Sequence, residues 1–383
     1  MSVQAVEVES LADFDARIRR SRRLAGWFVS SLDLTGRSPE LLAADPRGAV
    51  FLGCAFADDV AERLRAAGAL VFPQLPDLPF DPYRPRLYAA EELYGVDPDG
   101  HRPPYPDSPD ATVYAWSGSP AARGLSGALA ATLHDHSVTE TLDDVTADLD
   151  PHRVVGTMGG HALRRDEPGY AAAAELGAGL TRAGATVLTG GGPGAMEAAN
   201  LGAYLSPWPG ALPEALGLLA AVPGYRAAEG GVDAWVGAAL AVRRRWPASA
   251  AGRSLGVPTW FYGHEPTNVF ATAIAKYFAN ALREDTLLHR CRGGVVYLPG
   301  QAGTVQEVFQ AVTENFYAVD ADRVAPLVLL GQDYWRTTLP VWPLLSRLAA
   351  GRPMADHVFC VDDVGAAVEL LTSGRPPART RPG

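Results

Sequence analysis

Lysine is almost missing from this sequence, since Lys276 is the single lysine among 33 basic residues. A pyridoxal-phosphate enzyme forms its Schiff base on a lysine, so that chemistry has one candidate residue. The three cysteines, Cys54, Cys291 and Cys360, are too few and too far apart for a disulfide framework or a zinc site. The eight histidines include no HExxH motif. We therefore expect no metal site.

The chain also lacks an excess of positive charge and any long apolar run. Its 33 Lys+Arg residues are outnumbered by 43 Asp+Glu residues, which gives a formal net charge of −10. A polynucleotide partner requires a basic surface, so we expect no nucleic-acid partner, whereas a small anion needs only a few local donors. No run approaches the roughly 18 apolar residues of a membrane span, and residues 1–23 have no apolar signal-peptide core. These absences predict a soluble, cytoplasmic protein with no membrane partner.

Short β-rich segments alternate with longer helical segments, a pattern that predicts an α/β protein with mainly parallel strands. At roughly 100–200 residues per domain, 383 residues suggest two domains. We expect an N-terminal α/β domain over residues 1–150 and a second α/β domain over residues 151–374. The arginine-rich residues 375–383 are expected to be disordered.

From Arg153 onward the alternation is regular enough to place elements. Strands are predicted over 154–157, 186–189, 255–262, 294–298, 324–330 and 357–361. Apolar residues at i+4 spacing (Phe270, Ile274, Phe278, Leu282) predict one long helix over Thr267–His289, with the first three in the core. Residues 75–120 show no strong period and are predicted to form long ordered loops.

Two glycine-rich loops each follow an apolar strand and precede a helix. The first lies in Thr189–Asn200 (TGGGPGAMEAAN) and the second in Pro299–Glu307 (PGQAGTVQE). Ligands of parallel sheets bind at the carboxyl ends of the strands, and such a turn presents backbone N–H groups and a helix N-terminus to an anion. Neither loop is a Walker P-loop, because GxxxxGK[ST] is absent. The first loop fits GxGxxA only loosely, so a dinucleotide-dependent dehydrogenase is a weak alternative.

The paired loops resemble the signature of the Lonely Guy (LOG) family, whose usual forms are GGGxxGxM and PGGxGTxxE. Other segments, among them PFDPYRPRLYAAEEL and PTNVFATAIAKYFANALRED, resemble the longer bacterial nucleotide 5′-monophosphate nucleosidases of that group. The resemblance implies a Rossmann-like, doubly wound parallel sheet and a homodimer or larger homo-oligomer. It also implies hydrolysis of the N-glycosidic bond of a nucleoside 5′-monophosphate, giving free base and ribose 5-phosphate without a metal or other cofactor.

The resemblance assigns the catalytic carboxylate to Glu307, which would stabilise positive charge on the ribose and activate water. It assigns the family's arginine to Arg283, with a one-residue shift and without the lysine that usually follows. Arg283 would hold the phosphate or sugar, or neutralise the departing base. Arg290 and Arg292 are weaker candidates, and a surface pair of Arg283 with Glu284 or Asp285 is the structural alternative.

The remaining expected substrate- and phosphate-binding residues lie in the two loops and at neighbouring strand and helix ends. They are Met158, Gly159, Gly190, Gly191, Gly192, Gly194, Met196, Glu197, Asn268, Gly300, Gln301, Ala302, Gly303 and Thr304. For Glu197 and Asn268, interaction with a helix dipole and an N-cap are the structural alternatives. Gln301 replaces the second glycine of PGG, and it would alter the pocket if that position required a positive φ.

Two further functions remain as alternatives. A non-catalytic protein could bind a nucleotide or alarmone through the same loops, with the N-terminal domain in a regulatory role. An amino-acid decarboxylase using pyridoxal phosphate is disfavoured, because Lys276 is expected in the middle of a helix rather than on a pocket loop. The identity of the base cannot be derived from the sequence.

Overall fold

The computed structural model describes residues 6–261 and 265–373, so the predicted tail at 375–383 lies outside the described residues. The strands are β1 (Val6–Val8), β2 (Trp27–Ser30), β3 (Val50–Leu52), β4 (Leu70–Phe72), β5 (Val154–Met158), β6 (Thr186–Thr189), β7 (Ser254–Gly256), β8 (Ala273–Ile274), β9 (Val295–Tyr297), β10 (Leu327–Leu330) and β11 (Val358–Val361). The helices are α1 (Leu11–Ile18), α2 (Ser38–Leu42), α3 (Val60–Ala66), α4 (Ala90–Tyr94), α5 (Pro109–Ser117), α6 (Pro120–Arg123), α7 (Leu125–Thr146), α8 (Pro168–Arg182), α9 (Ala195–Leu205), α10 (Ala211–Ala220), α11 (Gly231–Arg245), α12 (Asn280–Arg290), α13 (Ala302–Tyr317), α14 (Val341–Ala349) and α15 (Val364–Thr372). None of the helices in these two ranges combines the length and apolar character needed to cross a bilayer.

The chain divides into two compact units, each with its own parallel sheet. The first unit comprises the residues as far as Leu87 together with Val113–Asp143. The second comprises Tyr88–Thr112 and the residues from Asp144 onward. This division differs from the single boundary predicted near residue 150, because Tyr88–Thr112 belongs to the second unit. The same segment was predicted to form loops, and it contains α4 and the start of α5.

The first unit contains a four-stranded parallel sheet in the order β1-β2-β3-β4. Along β2, Trp27 and Val29 are buried while Phe28 is exposed, as expected when successive side chains of a strand point to opposite faces. The Trp27 ring meets the ring of Phe14 from α1 edge to face, with 6.1 Å between the ring centroids. The core of this unit therefore lies between one face of the sheet and its helices.

The second unit contains a seven-stranded parallel sheet in the order β11-β10-β9-β5-β6-β7-β8. The strands β5 and β9 lie side by side, with Thr157 opposite Val296. The next strand in the chain after β5 is β6, which pairs with the opposite edge of β5. All residues of β5 are buried, as expected for a central strand covered by helices on both faces. The predicted α/β class with a Rossmann-like, parallel sheet is confirmed, and β5 and β9 mark the point where the strand order reverses.

The predicted long helix over residues 267–289 is wrong in its first half. The helix α12 begins only at Asn280, and the preceding residues are extended and contain β8. The Asn268 side-chain oxygen accepts the backbone N–H groups of Phe270 and Ala271, a local turn that competes with helix formation. Ile274 then exchanges backbone hydrogen bonds with Tyr88.

The apolar spacing misled the prediction because a repeat of four residues fits two conformations. Four is close to one helical turn, and it is also a multiple of the two-residue period of a strand. Phe270 and Ile274 are fully buried as expected, whereas Phe278 is only partly buried. The stripe thus identified core residues but not their secondary structure.

The single lysine is held in a buried ion pair within the second unit. The Lys276 Nζ atom lies 2.6 Å from Asp110 Oδ1 and donates to Thr267 Oγ1 at 2.7 Å. Asp110 also accepts the Trp260 indole N–H at 2.9 Å and the Tyr105 hydroxyl at 3.0 Å. Burial lowers the pKa of the Lys276 ammonium, and the Asp110 carboxylate opposes this shift. Lys276 therefore anchors α5 to the segment that follows β7.

Replacing this lysine tests the anchor. We expect Lys276→Met to lower the free energy of unfolding by about 3–5 kcal/mol, because it leaves the Asp110 charge buried without its cation. The control Arg245→Met breaks an exposed ion pair with Glu214 and is expected to cost less than about 1 kcal/mol. Denaturant unfolding measures both variants. A cost for Lys276→Met as small as the control's would show that the pair adds no stability.

Candidate functional site

A cavity of about 130 Å³ lies in the second unit where β5, β6 and β9 end. It is therefore at the carboxyl edge of the parallel sheet, beside the reversal of strand order, where open α/β sheets bind their ligands. Its walls come from both glycine-rich loops and from α12 and α13. The lining residues are Gly159, His161, Gly190, Gly192, Met196, Pro258, Thr259, Glu265, Asn280, Arg283, Glu284, Gly303, Thr304 and Glu307.

The first glycine-rich loop requires glycine at two positions that lie behind the cavity wall. Gly191 has φ +71°, and a Cβ there would lie 2.6 Å from the Pro258 ring. Gly194, which precedes α9, has φ +70°, and a Cβ there would lie 2.3 Å from the Gly160 carbonyl oxygen. An L side chain is strained at such φ values and would collide with the backbone as well. Gly194 thus brings the loop against the residues that follow β5, and Gly191 brings it against Pro258, which follows β7.

Buried polar side chains hold this loop in place. The Asn268 side-chain N–H group donates to the Gly192 carbonyl at 3.0 Å and to Asn200 Oδ1 at 3.1 Å. The Thr189 hydroxyl donates to the same Asn200 oxygen and accepts the Gly191 N–H. Asn200 and Asn268 are fully buried and neither lines the cavity. Their positions therefore favour bracing of the loop over the ligand contact expected for Asn268.

Glu197, in the first turn of α9, also faces the protein interior. Its carboxylate accepts two hydrogen bonds from Arg165, at 2.5 and 3.0 Å, and both side chains are almost completely buried. The Arg165 guanidinium lies over the Trp235 ring at 4.5 Å from its centroid. Glu197 does not line the cavity. The geometry thus favours the structural alternative for this residue.

The second glycine-rich loop is fixed from two sides. The Pro299 carbonyl accepts the Gly160 N–H at 3.0 Å, and the Gly300 carbonyl accepts the Tyr334 hydroxyl at 2.6 Å. Gln301 has φ −106°, a value that any L residue adopts, and its side chain is exposed. The departure from PGG therefore does not place a side chain where only glycine would fit.

Two helices begin at the cavity. The helix α13 starts at Ala302 without a side-chain cap, and Gly303 and Thr304 of its first turn line the cavity. A Cβ built on Gly303 would meet no atom within 4 Å, so there is open space beside this turn. Met196, in the first turn of α9, lines the cavity across from it. First-turn N–H groups and two helix dipoles favour an anion between the helices.

The Arg283 guanidinium connects the loops to the acidic residues. Its Nε atom donates to the Val257 carbonyl at 2.6 Å and its Nη2 atom donates to the Gly190 carbonyl at 3.2 Å. Its Nη1 atom lies 2.8 Å from Glu284 Oε1 and 3.5 Å from Glu307 Oε1. Arg283 lines the cavity, but most of its donors are directed at the protein. This arrangement leaves Arg283 few donors for tight binding of a phosphate.

The other two arginines lie elsewhere. Arg290 donates to the Thr286 carbonyl and Arg292 to the Arg323 carbonyl. Neither lines the cavity. Arg283 does pair with Glu284, at 2.8 Å, but the pair is not on the surface, because both residues are more than nine-tenths buried.

Glu307 lies one turn into α13 and is almost completely buried. Burial raises the pKa of the Glu307 carboxyl to about 8, the positive charge of Arg283 opposes this shift, and the negative charge of Glu284 adds to it. This shift favours the protonated form of Glu307 near neutral pH. A carboxyl with such a pKa in a cleft is typical of a group that transfers protons.

The structure places half of the predicted site residues in the cavity wall and the other half outside it. The predicted residues that line the cavity are Gly159, Gly190, Gly192, Met196, Arg283, Gly303, Thr304 and Glu307. Those that lie behind the wall or beside it are Met158, Gly191, Gly194, Glu197, Asn268, Gly300, Gln301 and Ala302. The cavity is also lined by residues that were not predicted, among them Glu284 and Glu265. The Glu265 carboxylate lies 3.1 Å from the His161 ring.

In the part of the chain that the structure describes, one group of three side chains is close enough to share a metal ion. It consists of Asp97, Asp99 and His101, all of which are exposed. None of the three lines the cavity. The carboxyl groups of Glu284 and Glu307 in the cavity instead lie within ion-pair distance of Arg283.

Comparisons with known proteins give structural neighbours only. No protein family and no curated protein matches the chain. One similar structure is a molybdenum cofactor binding protein from the phototrophic bacterium Rippkaea orientalis, which is 19% identical with a TM-score of 0.36 over 57% of this chain and 95% of that chain. Another is the molybdenum cofactor carrier protein from Chlamydomonas reinhardtii, which is 20% identical with a TM-score of 0.35 over 57% of this chain and 96% of that chain.

A substitution in the first loop tests the packing of the two backbones. We expect Gly194→Ala to lower the free energy of unfolding by about 1–3 kcal/mol or more, because the new methyl group combines a strained φ with a backbone collision. Gly217→Ala is the control, since Gly217 is exposed in α10 with no atom near a built Cβ. The control should raise stability by about 0.4–1 kcal/mol. Equal effects of the two variants in denaturant unfolding would contradict the packing described here.

The raised pKa of Glu307 predicts how stability depends on pH. An unfolded glutamate titrates near pH 4.3, so between about pH 4.3 and 8 the folded state binds more protons than the unfolded state. Stability therefore falls as pH rises through this range. Glu307→Gln removes the titrating group, so its stability relative to the wild type should be higher at about pH 9 than at about pH 5.

The matched control for this measurement is Glu314→Gln, on the same helix but half-exposed. It should leave the slope of stability against pH unchanged. Thermal unfolding across the pH range provides the data for all three proteins. A slope unchanged by Glu307→Gln would contradict the raised pKa.

Proposed function

We propose that this protein hydrolyses the N-glycosidic bond of a nucleoside 5′-monophosphate, as its resemblance to the LOG family implies. The observation that carries the proposal is the position of Glu307. Its carboxyl group lies in the cavity that first-turn residues of α9 and α13 also line, and it is one turn from the N-terminus of α13. In a sugar phosphate, the phosphate would bind at the helix N-terminus, and the sugar would lie beside the carboxyl group one helical turn away.

The phosphate would bind at the start of α13. The Gly303 and Thr304 N–H groups and the Thr304 hydroxyl can donate to phosphate oxygens, and the α13 dipole favours the negative charge. Gly303 leaves open space for the phosphate to approach the backbone. The ribose would then extend toward Glu307, which lies on the same face of the helix as Thr304.

The chemistry that needs Glu307 is the departure of the base. As the C1′–N bond breaks, positive charge grows on the ribose ring, and a carboxylate beside it lowers the energy of that state. The same carboxylate can take a proton from the attacking water. Arg283, which is in contact with Glu307 and lines the cavity, would hold the sugar or neutralise the departing base.

The location of Lys276 supports this proposal over a decarboxylase. The only lysine is buried in its pair with Asp110 and does not line the cavity. A Schiff base with pyridoxal phosphate would require that lysine to leave its partner and reach the cofactor.

We also propose that the protein is cytoplasmic and forms a homodimer or larger homo-oligomer. Light scattering of the purified protein tests the oligomeric state.

A substrate panel tests the function. Purified protein is incubated with AMP, GMP, CMP, UMP and IMP, and chromatography measures free base and ribose 5-phosphate. We expect release of base from at least one nucleotide, and a loss of about 10²–10⁴-fold in kcat for Glu307→Gln, the range typical of a proton-transferring or charge-stabilising group. Calorimetry should show that the variant still binds the nucleotide.

The control variant is again Glu314→Gln, which should keep full activity. Tight nucleotide binding without release of base would instead favour the non-catalytic sensor. Failure of the wild type both to bind and to cleave any nucleotide would overturn the proposal. Unchanged turnover in Glu307→Gln would remove Glu307 from the mechanism.

A further inference from the structure

The cavity contains a second buried carboxyl group, that of Glu284 on α12. Its Oε1 atom is 2.8 Å from Arg283 Nη1 and accepts a long hydrogen bond, at 3.4 Å, from the Asn280 side chain. Its Oε2 atom is buried and has no hydrogen-bond partner among the described residues. A buried carboxylate oxygen without a partner costs free energy. An unsatisfied oxygen of this kind in a cavity wall points to a proton or a ligand group that it receives.

The charges around this group do not balance unless a proton is present. Arg283 is the cation between Glu284 and Glu307, and both carboxyl groups lie within ion-pair distance of the same Nη1 atom. Two carboxylates that share one buried cation favour retention of one proton by the pair. Arg283 is closer to Glu284, at 2.8 Å, than to Glu307, at 3.5 Å, so in the resting protein this geometry favours the proton at Glu307.

Among the described residues, two other buried titratable groups lie close to the pair, Tyr297 and Cys291, and both are neutral when protonated. From β9, the Tyr297 hydroxyl donates to the Glu307 backbone carbonyl, and burial raises the pKa of this tyrosine. Burial likewise raises the pKa of the Cys291 thiol, which keeps the thiol neutral. At the cavity wall, the His161 ring lies against the Glu265 carboxylate.

We propose that Glu284 and Glu307 act as a pair that holds one proton, with Glu284 as a second catalytic carboxyl group that protonates the departing base. This inference rests on the proposed hydrolysis and deepens it. If Glu307 is to stabilise positive charge on the ribose, it must give up its proton, and the free Oε2 of Glu284 is the acceptor beside it.

The steps then balance. With the proton on Glu284, the C1′–N bond breaks, its electron pair stays on the base nitrogen, and Glu284 delivers the proton to the base. The Glu307 carboxylate faces the ribose cation and takes a proton from water as the water oxygen bonds to C1′. The products are free base and ribose 5-phosphate. The proton, now on Glu307, passes to Glu284 before the next turnover.

Activity therefore requires one proton on the pair. In the wild type, kcat should fall at low pH, where both groups are protonated, and at high pH, where neither is. Glu284→Gln should lose about 10²-fold or more in kcat, as expected for removal of a general acid, with little change in KM. Its residual activity should rise with pH and lose the fall at high pH. Asp285→Asn, an exposed neighbour on the same helix, is the matched control and should behave as the wild type.

A substrate with an activated leaving group separates proton donation from a structural role. Ribose 5-phosphate carrying 4-nitrophenolate at C1′ needs no protonation to release its leaving group. We expect Glu284→Gln to keep activity on this substrate within about tenfold of the wild type, whereas Glu307→Gln should lose activity on it and on nucleotides. Equal losses on both substrates for Glu284→Gln would overturn the inference. If the wild type cleaves neither substrate, the proposed function fails instead.

Infrared spectroscopy tests the shared proton without turnover. The wild type at neutral pH should show the C=O stretch of a buried protonated carboxyl group. Both Glu284→Gln and Glu307→Gln should lose it, because each leaves one carboxylate beside Arg283. Persistence of this band in Glu284→Gln would show that burial alone protonates Glu307 and would overturn the pair. Thermal unfolding of each variant confirms that it is folded. If Glu284→Gln does not fold, Glu284→Asp takes its place, and because this variant keeps a carboxyl group, its kcat should fall at high pH as that of the wild type does.

Discussion

One buried guanidinium, that of Arg283, determines how the parts of the cavity relate to each other. It comes from α12, donates to the carbonyl groups of Val257 and Gly190, and lies between the carboxyl groups of Glu284 and Glu307. Three segments that are distant in sequence are thereby connected by one side chain. A planar group with several fixed donors can do this, whereas a lysine ammonium could not reach the same set of acceptors.

The same cation sets the protonation of the site. A single positive charge that faces two buried carboxyl groups cannot neutralise both, and the burial of Glu307 raises its pKa to about 8. The site consequently holds an exchangeable proton beside the N-terminus of α13. An anion bound at that helix and a proton held one turn away would suit the proposed hydrolysis of the N-glycosidic bond of a nucleotide.

Backbone packing at the sheet edge places these groups. The end of β5 lies between the two glycine-rich loops, where Gly160 bonds to Pro299 on one side and meets Gly194 on the other. Glycine is needed at Gly194 because of its positive φ and the contact with the Gly160 carbonyl. It is not needed at Gln301, whose φ is ordinary and whose side chain is exposed. The side chains of buried Asn268 and half-buried Tyr334 then hold the loops at that distance.

The sequence alone determined the α/β class and the position of the two loops, because strand-loop-helix patterns and glycine spacing are local. The resemblance to the LOG family singled out Glu307 and Arg283, and both line the cavity. The sequence could not decide the conformation of residues 267–279, since an apolar repeat of four suits a helix and a strand equally. It also could not separate Glu284 from a surface residue, or Glu197 and Asn268 from ligand contacts. Burial and partners decide those roles, and both come from segments far apart in the chain that meet only when the sheet has formed.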